Sequence, residues 1–334
     1  MLELLKELCT LSGPSGSEGS VREFIISKIE GFCEYHTDNL GNIIAFKKGK
    51  KTPAKKIMID AHTDEVGLII THITEDGFLK FSTLGGIDTA VMMFRRVLIN
   101  GETVGVISGK PIHLIHGDAG KKLPKADSLY IDIGATSREE AEKTVSLGDT
   151  AVICGDFALC GNKVLSRALD DRIGCAALIT LIREQSEFDF YATFSVQEEL
   201  GLRGARVAAF GVAPDAAIVL EGTTAADIAD VPPERTVCKL GDGAAVSFMD
   251  RSTVYDREYY NAALKSGIKA QPKAAATGGN NAGAVHLSGK GVRTVAISAP
   301  CRYIHSASSV ADTEDIKAVL ELAKYMLGFI ATND

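Results

Sequence analysis

From Lys163 to the end of the chain, stretches of helical periodicity alternate with short β-branched runs, and this alternation is the strongest limit on the fold. Residues 171–182, 202–210, 257–265 and 281–287 read as helices, the third capped by Asp256. Residues 188–196, 216–220 and 292–298 read as strands. The last helix puts Ile316, Val319, Leu320, Ala323, Met326, Leu327 and Ile330 on one face. Helix and strand taken in turn build a parallel or mixed sheet covered by helices, an α/β body. The first 67 residues add to it. They hold a helix over 2–9, a second helix through Val21, Phe24, Ile25 and Ile29 capped by Ser15 or Ser17, a strand over 42–46, and a buried strand at 57–59.

Between these halves the texture changes. Short β-rich runs at 68–73, 78–82, 96–99, 103–108, 129–133 and 151–153 are separated by turn signals, with hairpin tips at 75–77 and 100–101. One helix, 137–145, interrupts them, with Ser137 and Glu140 placed as a capping box. The pattern predicts a small β-rich domain, 68–163, inserted into a body made of 1–67 and 164–334.

Composition removes several function classes. A formal net charge of -7 argues against nucleic acid as a partner. No apolar run reaches the length of a membrane span, and the first residues lack the layout of a signal peptide. Seven cysteines, an odd number without a Cys-x-x-Cys pair, fit free thiols in a reducing cytoplasm. The lysines at 47, 48, 50, 51, 55 and 56 read as a solvated loop.

The chemistry collects where strands stop, which is where open α/β sheets bind ligands. His62 and Asp64 follow the 57–59 strand, two residues apart, so the carboxylate can orient the imidazole. Asp170 and Asp171 open a helix, Glu198 and Glu199 end a strand, Glu221 ends another, and His305 follows the 292–298 strand. Singly, such acids are helix caps or solvated side chains. Together, two histidines and several carboxylates suit zinc, cobalt or manganese. Five ligands suit two ions about 3.5–4 Å apart sharing one carboxylate, and a remaining acid is free to move protons. His113 and His116 have metal-like spacing but no third ligand nearby. Residues 117–122 lack the pattern of a phosphate loop, and Ser306 has no nucleophile elbow.

The segments 61–67 (AHTDEVG), 168–174 (ALDDRIG), 197–201 (QEELG), 221–223 (EGT) and 301–306 (CRYIHS) together resemble the tetrahedral aminopeptidases (TET) of peptidase family M42, over essentially the whole chain. The resemblance implies a zinc-exopeptidase-like catalytic domain on a mixed sheet, with a β-barrel-like insert for dimerisation and assembly into a shell of twelve subunits. It implies His62 and Glu221 on one metal, Glu199 and His305 on the other, and Asp170 bridging both. It further implies a cis peptide between Asp170 and Asp171, Glu198 as general base, and Asp64 orienting His62. Short peptides would be the substrates, with the free amino group bound near Glu199 and His305. Two positions depart from the family pattern. Glu221 stands where Asp is frequent, and its longer arm bears on metal affinity. Asn281 stands where an acid is common, in a segment that approaches the substrate side in relatives.

Other readings of the same residues are a di-metal carboxypeptidase or N-deacylase, a glycosidase using Glu198 and Glu199, and a non-catalytic shell protein. Adjacent strand residues point apart, whereas a glycosidase needs its carboxyls about 5–9.5 Å apart across a sugar.

Overall fold

The strands form one open sheet and one closed barrel. The computed structural model describes residues 1–109, 123–276 and 278–333. His113, His116 and residues 117–122 lie outside the described residues.

The open sheet begins with β1 (Glu34–Thr37), β2 (Ile43–Lys47) and β3 (Ile57–His62). The chain then leaves it to build the barrel: β4 (Gly67–Ile73), β5 (Leu79–Leu84), β6 (Arg96–Ile99), β7 (Thr103–Ile107), β8 (Ile131–Asp132) and β9 (Thr150–Ile153), closed in the order β4-β5-β8-β7-β6-β9. It returns through β10 (Ala158–Cys160), β11 (Lys163–Ser166), β12 (Phe190–Ser195), β13 (Ala216–Thr224), β14 (Ala244–Ser247), β15 (Ala270–Lys273), β16 (Arg293–Arg302) and β17 (Ser309–Asp312). The main path of this sheet runs β1-β2-β12-β3-β13-β16-β17-β11-β10, with β14 on β16 and β15 on β14. Its centre, β12-β3-β13-β16, is parallel and its flanks are mostly antiparallel. The expected mixed α/β sheet and the barrel-like insert are both present.

The parallel centre is buried on both faces, and β3 shows it: all six residues of IMIDAH are buried. One of them is the carboxylate Asp60. Thr193 and Ser195 donate their hydroxyls to it and Asn281 its amide, which offsets the cost of burying it. Helices α1 (Leu2–Thr10), α2 (Gly19–Ile29), α5 (Leu169–Arg183) and α9 (Thr313–Thr332) pack into one large core with the sheet. Helix α5 is buried over most of its length, so it reads as apolar all round rather than striped. The barrel has its own core of Leu68, Ile70, Phe81, Val97, Ile99, Ile107 and Ile131 among others. Its β6–β7 tip turns on Asn100 and Gly101, both at positive φ, in a turn closed by the Glu102 N–H on the Ile99 carbonyl.

Local details differ from the sequence reading. Neither Ser15 nor Ser17 caps α2, whose first residue follows Glu18; the Ser15 hydroxyl is spent on Asp64 instead, at 2.6 Å. The helix expected over 137–145 is a single turn, α4 (Arg138–Ala141). Ser137 does cap it, but the return arm of the box reaches one residue earlier, where Glu140 accepts from Thr136. The apolar run 90–94 splits between core and surface. Met92 is buried in the barrel and Val91 and Met93 pack against its core, whereas Phe94 is 63% exposed.

Candidate metal centre

Three neighbouring parallel strands and two loops bring the strand-end residues to one edge of the sheet. His62 is the last residue of β3, beside Ser195 at the end of β12. Glu221 lies in β13. Asp170 stands in the first turn of α5, where the backbone departs from helical geometry and the Asp170–Asp171 peptide is cis. Glu198 and Glu199 sit on the turn after β12, behind Gln197 at positive φ, and His305 sits at positive φ in the loop after β16.

Asp170 is the centre of the arrangement. Its Oδ1 lies 3.4 Å from His62 Nε2, and its Oδ2 lies 3.6 Å from His305 Nε2. Glu221 Oε2 is 3.5 Å from His62 Nε2, and Glu199 Oε1 is 3.1 Å from His305 Nε2. Each imidazole therefore faces one oxygen of a shared carboxylate and one carboxylate of its own. Gly222 donates its N–H to Asp170 Oδ1 at 3.1 Å, and a Cβ there would fall about 3.0 Å from the Asp170 Cα and Cβ. Only glycine lets β13 approach so closely.

Both rings are held from behind. His62 Nδ1 lies 3.1 Å from the Asp64 carbonyl and 3.4 Å from its carboxylate, and His305 Nδ1 lies 2.9 Å from the Gly86 carbonyl. A neutral ring that donates from Nδ1 presents the lone pair of Nε2 to the carboxylates, which is the tautomer a metal ligand needs. Asp64 does more than orient His62. Its two oxygens also accept the N–H groups of Glu198 and Glu199, at 2.9 and 3.2 Å, so one buried carboxylate fixes the imidazole and the turn that carries both glutamates. The insert, expected to serve dimerisation and assembly, thus also supplies the acceptor for His305.

The electrostatics of this cluster call for cations. Burial pushes Glu221 up to about 7. It also pushes Glu198 and Asp171 well above the usual carboxylate range, and neighbouring acids add to the effect. Burial alone would lower both histidines, but Glu221 and Asp170 hold His62 well above its ordinary value, and hydrogen bonds to Asp170 and Glu199 raise His305 to about 11. Burial would raise Asp170, but the hydrogen bonds from His305 and His62 outweigh it and keep its carboxyl low. Two buried oxygens, Glu221 Oε1 and Asp171 Oδ2, have no hydrogen-bond partner. Ligand atoms of His62, Asp171 and Glu221, and of His62, Asp170 and Glu199, lie within 4.8 Å of one another. A donor set of imidazole and carboxylate with unpartnered oxygens fits divalent metal.

In the sequence Asp171 is only the second acid of a helix start, and the tandem Asp170-Asp171 is the one signal that points to it. The segment of Asn281 reaches the cleft as expected, but Asn281 itself does not line it. It is fully buried and donates to Asp60 Oδ2 and Ser195 Oγ, both at 2.8 Å. Its neighbours Gly278, Gly279 and Asn280 line the cleft instead. That cleft, about 750 Å³, opens over Glu198, Glu199, Glu221 and His305. A second void of about 20 Å³, room for one water, lies behind Asp170 among Glu65, Arg167 and Ser306.

The model of the M42 glutamyl aminopeptidase family matches residues 41–322. A putative aminopeptidase of Acetivibrio thermocellus is 40% identical over 96% of this chain and 97% of its own length. The lysyl aminopeptidase of Pyrococcus furiosus is 33% identical over 97% of this chain and 96% of its own. Among solved structures, the TET aminopeptidase of a Thaumarchaeota archaeon from marine sediment has a TM-score of 0.93 at 34% identity, covering 100% of this chain and 96% of that one. The Pyrococcus horikoshii TET1 peptidase, which can assemble into a tetrahedron or a large octahedral shell, has a TM-score of 0.85 at 34% identity, covering 97% of this chain and 98% of that one.

Proposed function

Because this chain belongs to the M42 glutamyl aminopeptidase family, we propose that it removes N-terminal residues from short peptides with a two-metal centre and Glu198 as general base. His62 and Glu221 would hold one divalent ion, Glu199 and His305 the other, and Asp170 both; zinc or cobalt suits the donors best, and manganese is acceptable to them. The observation that carries the reading is Asp170, whose two oxygens face two imidazoles, each backed by a carbonyl and each with its own carboxylate.

When bound, the ions supply Lewis acidity towards the scissile carbonyl and lower the pKa of water. The remaining work falls to the chain. Glu198 lines the cleft on a turn fixed through its own N–H by Asp64. From there it takes a proton from the attacking water and delivers it to the departing amine. The substrate's free amino group is drawn to the carboxylates on the Glu199 and His305 side. Purified protein should carry two ions per chain and hydrolyse aminoacyl anilides but not N-acyl amino acids. Glu198→Gln should keep the metal content and lose roughly 10²-fold or more in turnover. N-acyl substrates cut in preference to anilides would favour the deacylase reading, and activity untouched by chelator would favour the glycosidase.

Assembly is a further part of the proposal. The barrel exposes Phe94, Val104, Val106 and Leu147, while the sheet domain exposes Val207 and Phe210 of α6 (Arg203–Val212) together with Leu287 and Val254. Two separate apolar surfaces suit a dimer that then joins other dimers into a closed symmetric shell, twelve chains being the expected number. An enclosed site would restrict substrates to short unfolded peptides. Among the described residues no helix is long and apolar enough to cross a membrane.

A further inference from the structure

The turn that carries Glu198 and Glu199 is held on its N–H side by side chains. Backbone donors inside a fold go mostly to backbone carbonyls. Here four in succession do not. Val196 donates to Asn42 Oδ1 at 2.9 Å, Gln197 to Glu18 Oε1 at 3.1 Å, and Glu198 and Glu199 to the two oxygens of Asp64. The carbonyls of Val196, Gln197 and Glu198 accept the N–H groups of residues 201–204, which lead into α6. The turn is thus fixed from both sides. Its strained residue is Gln197, at φ 53°, and that is the residue Glu18 grips. A non-glycine residue stays in this region only when its surroundings hold it there.

Neither of the usual reasons for a buried acid applies to Glu18. It is 4% exposed, and no cation pairs with it among the described residues. It precedes α2 but makes no side-chain cap on that helix. A buried carboxylate without a counter-charge needs hydrogen bonds to offset its lost hydration. Glu18 Oε1 has two, from the Gly16 N–H at 2.8 Å and from the Gln197 N–H, 179 residues along the chain. The rest of its segment is fastened to the other loop of the site. Gly13 and Ser15 exchange backbone hydrogen bonds with Glu65, and the Ser15 hydroxyl reaches Asp64 Oδ2, the oxygen that also accepts from Glu199. Residues 13–18 therefore tie the loop after His62 to the turn of Glu198. Glu18 and Gln197 line a polar cleft of about 480 Å³ together with Arg22, Asn100 and Thr150, and neither lines the cleft over the metal ligands. Any influence of Glu18 on the reaction passes through the turn.

We propose that Glu18 is a positioning residue for Glu198: its grip on the Gln197 N–H keeps the turn in the conformation that aims Glu198 into the cleft. The inference rests on the general-base reading of Glu198 and extends it to the residue behind the turn. Without this acceptor the peptide between Val196 and Gln197 is free to rotate and Gln197 to relax to negative φ, carrying Glu198 with it. A shift of about 1 Å at a reacting group costs roughly 10²-fold, and with Asp64 still holding Glu198 and Glu199 the expected loss is about tenfold. Reach matters here rather than charge, because both contacts fall on Oε1. Glutamine keeps an oxygen at that reach, and aspartate withdraws it.

The test measures kcat and KM at saturating cobalt for the best-cleaved of Glu-, Lys- and Leu-p-nitroanilide. Glu18→Ala should lower kcat about tenfold while KM stays within about twofold. Glu18→Gln should stay within about twofold of wild type, and Glu18→Asp, which keeps the charge on a shorter arm, should fall with Glu18→Ala. In a Glu198→Gln background, Glu18→Ala should cost less than about twofold, since a residue that acts through Glu198 then has nothing left to position. In metal-free protein, deuterium uptake at the Gln197 amide should be faster in Glu18→Ala and Glu18→Asp than in wild type and Glu18→Gln. Wild-type turnover in both Glu18→Ala and Glu18→Asp overturns the proposal, as does a loss that recurs in full in the Glu198→Gln background. If Glu18→Ala does not fold, the contrast between Glu18→Gln and Glu18→Asp decides alone, and equal turnover in the two overturns the proposal. Near-wild-type turnover in Glu198→Gln would instead overturn the general-base reading, and this inference with it.

Discussion

The two halves of the proposed metal centre are built from the same donors but in different surroundings. The His62 half lies inside the sheet: His62 ends β3 and Glu221 lies within β13, both central parallel strands, and their side chains are 1% and 5% exposed. The His305 half stands outside it, with His305 31% exposed on a loop at positive φ and Glu199 on a turn. Their supports differ as well. His62 leans on Asp64, two residues away, whereas His305 leans on Gly86, in the segment between β5 and α3 (Thr89–Met92) of the insert. The inner half is thus preorganised by the core itself, while the outer half is complete only when the barrel is docked. The inner half should therefore retain its ion tightly and the outer half exchange it, on the side where the substrate amine arrives.

The harshest way to break this contrast is to remove the residue common to both halves. Asp170→Asn should leave less than one ion per chain and lower turnover by more than about 10²-fold, a larger loss than for Glu198→Gln, because the Lewis acid goes with the ligand. Two ions retained with activity near wild type would remove Asp170 from the centre.

The halves should then separate. His305→Ala is expected to keep about one tightly held ion, while His62→Ala loses both in succession, because it strips the buried half and leaves Glu221 and Asp171 as uncompensated buried acids. Brief dialysis of wild type against a chelator should likewise stop at a one-ion form before the metal-free form. Equal loss from the two histidine variants would show that the halves do not differ.

A smaller effect follows from protonation. In the metal-free protein His305 is raised to about 11 and Glu221 to about 7, the first by hydrogen bonds to acids that outweigh burial, the second by burial. Both folded values lie above the unfolded ones, so the folded chain holds more protons between about pH 4.5 and 11, and stability falls as pH rises through that window. The histidine contribution is fully present below about 6.5 and is lost on approaching 11. The melting temperature of metal-free protein should therefore fall from pH 6 to pH 10 while that of the loaded protein stays flatter. Metal added at pH 7 should also release protons. A metal-free melting curve that rises over this range would contradict the assigned charges.

The sequence made the inner half legible and the outer half only partly so. Strand β3 opens on the apolar run Ile57, Met58 and Ile59 and ends at His62, and apolar runs bounded by polar residues are what buried parallel strands look like. The barrel was legible for a similar reason, since short β-branched runs with Asn-Gly and Asp-Gly tips have few other solutions. What escaped was everything fixed by tertiary partners. Ser15 reads as a helix cap and serves Asp64; Asn281 reads only as part of a substrate-side segment and serves Asp60; Gly86 offers only a carbonyl, which no side-chain pattern reveals. Strands β14 and β15, AAVS and AQPK, lack β-branched density, so neither shows in the sequence pattern.

The gentlest change should act on the barrel's outer surface without touching the seam at Gly86. Val104 and Val106 alternate outward from β7 and are 55% and 42% exposed, while Val97, Ile99 and Ile107 point into the barrel core. Replacing exposed residues that make no buried contact usually shifts stability by no more than about 0.5 kcal/mol. Val104→Lys/Val106→Lys should therefore leave the fold and the hydrolysis of a single aminoacyl anilide within about twofold of wild type. If this face joins subunits, two lysines on each side of a two-fold contact repel and must be desolvated, and the assembly should fall apart to smaller species. Light scattering at micromolar concentration reads the mass directly. A large species that survives the double substitution would move the contact to the Val207 and Phe210 surface of the sheet domain. A wild-type monomer with full activity would show that the outer half of the site needs the barrel but not the shell.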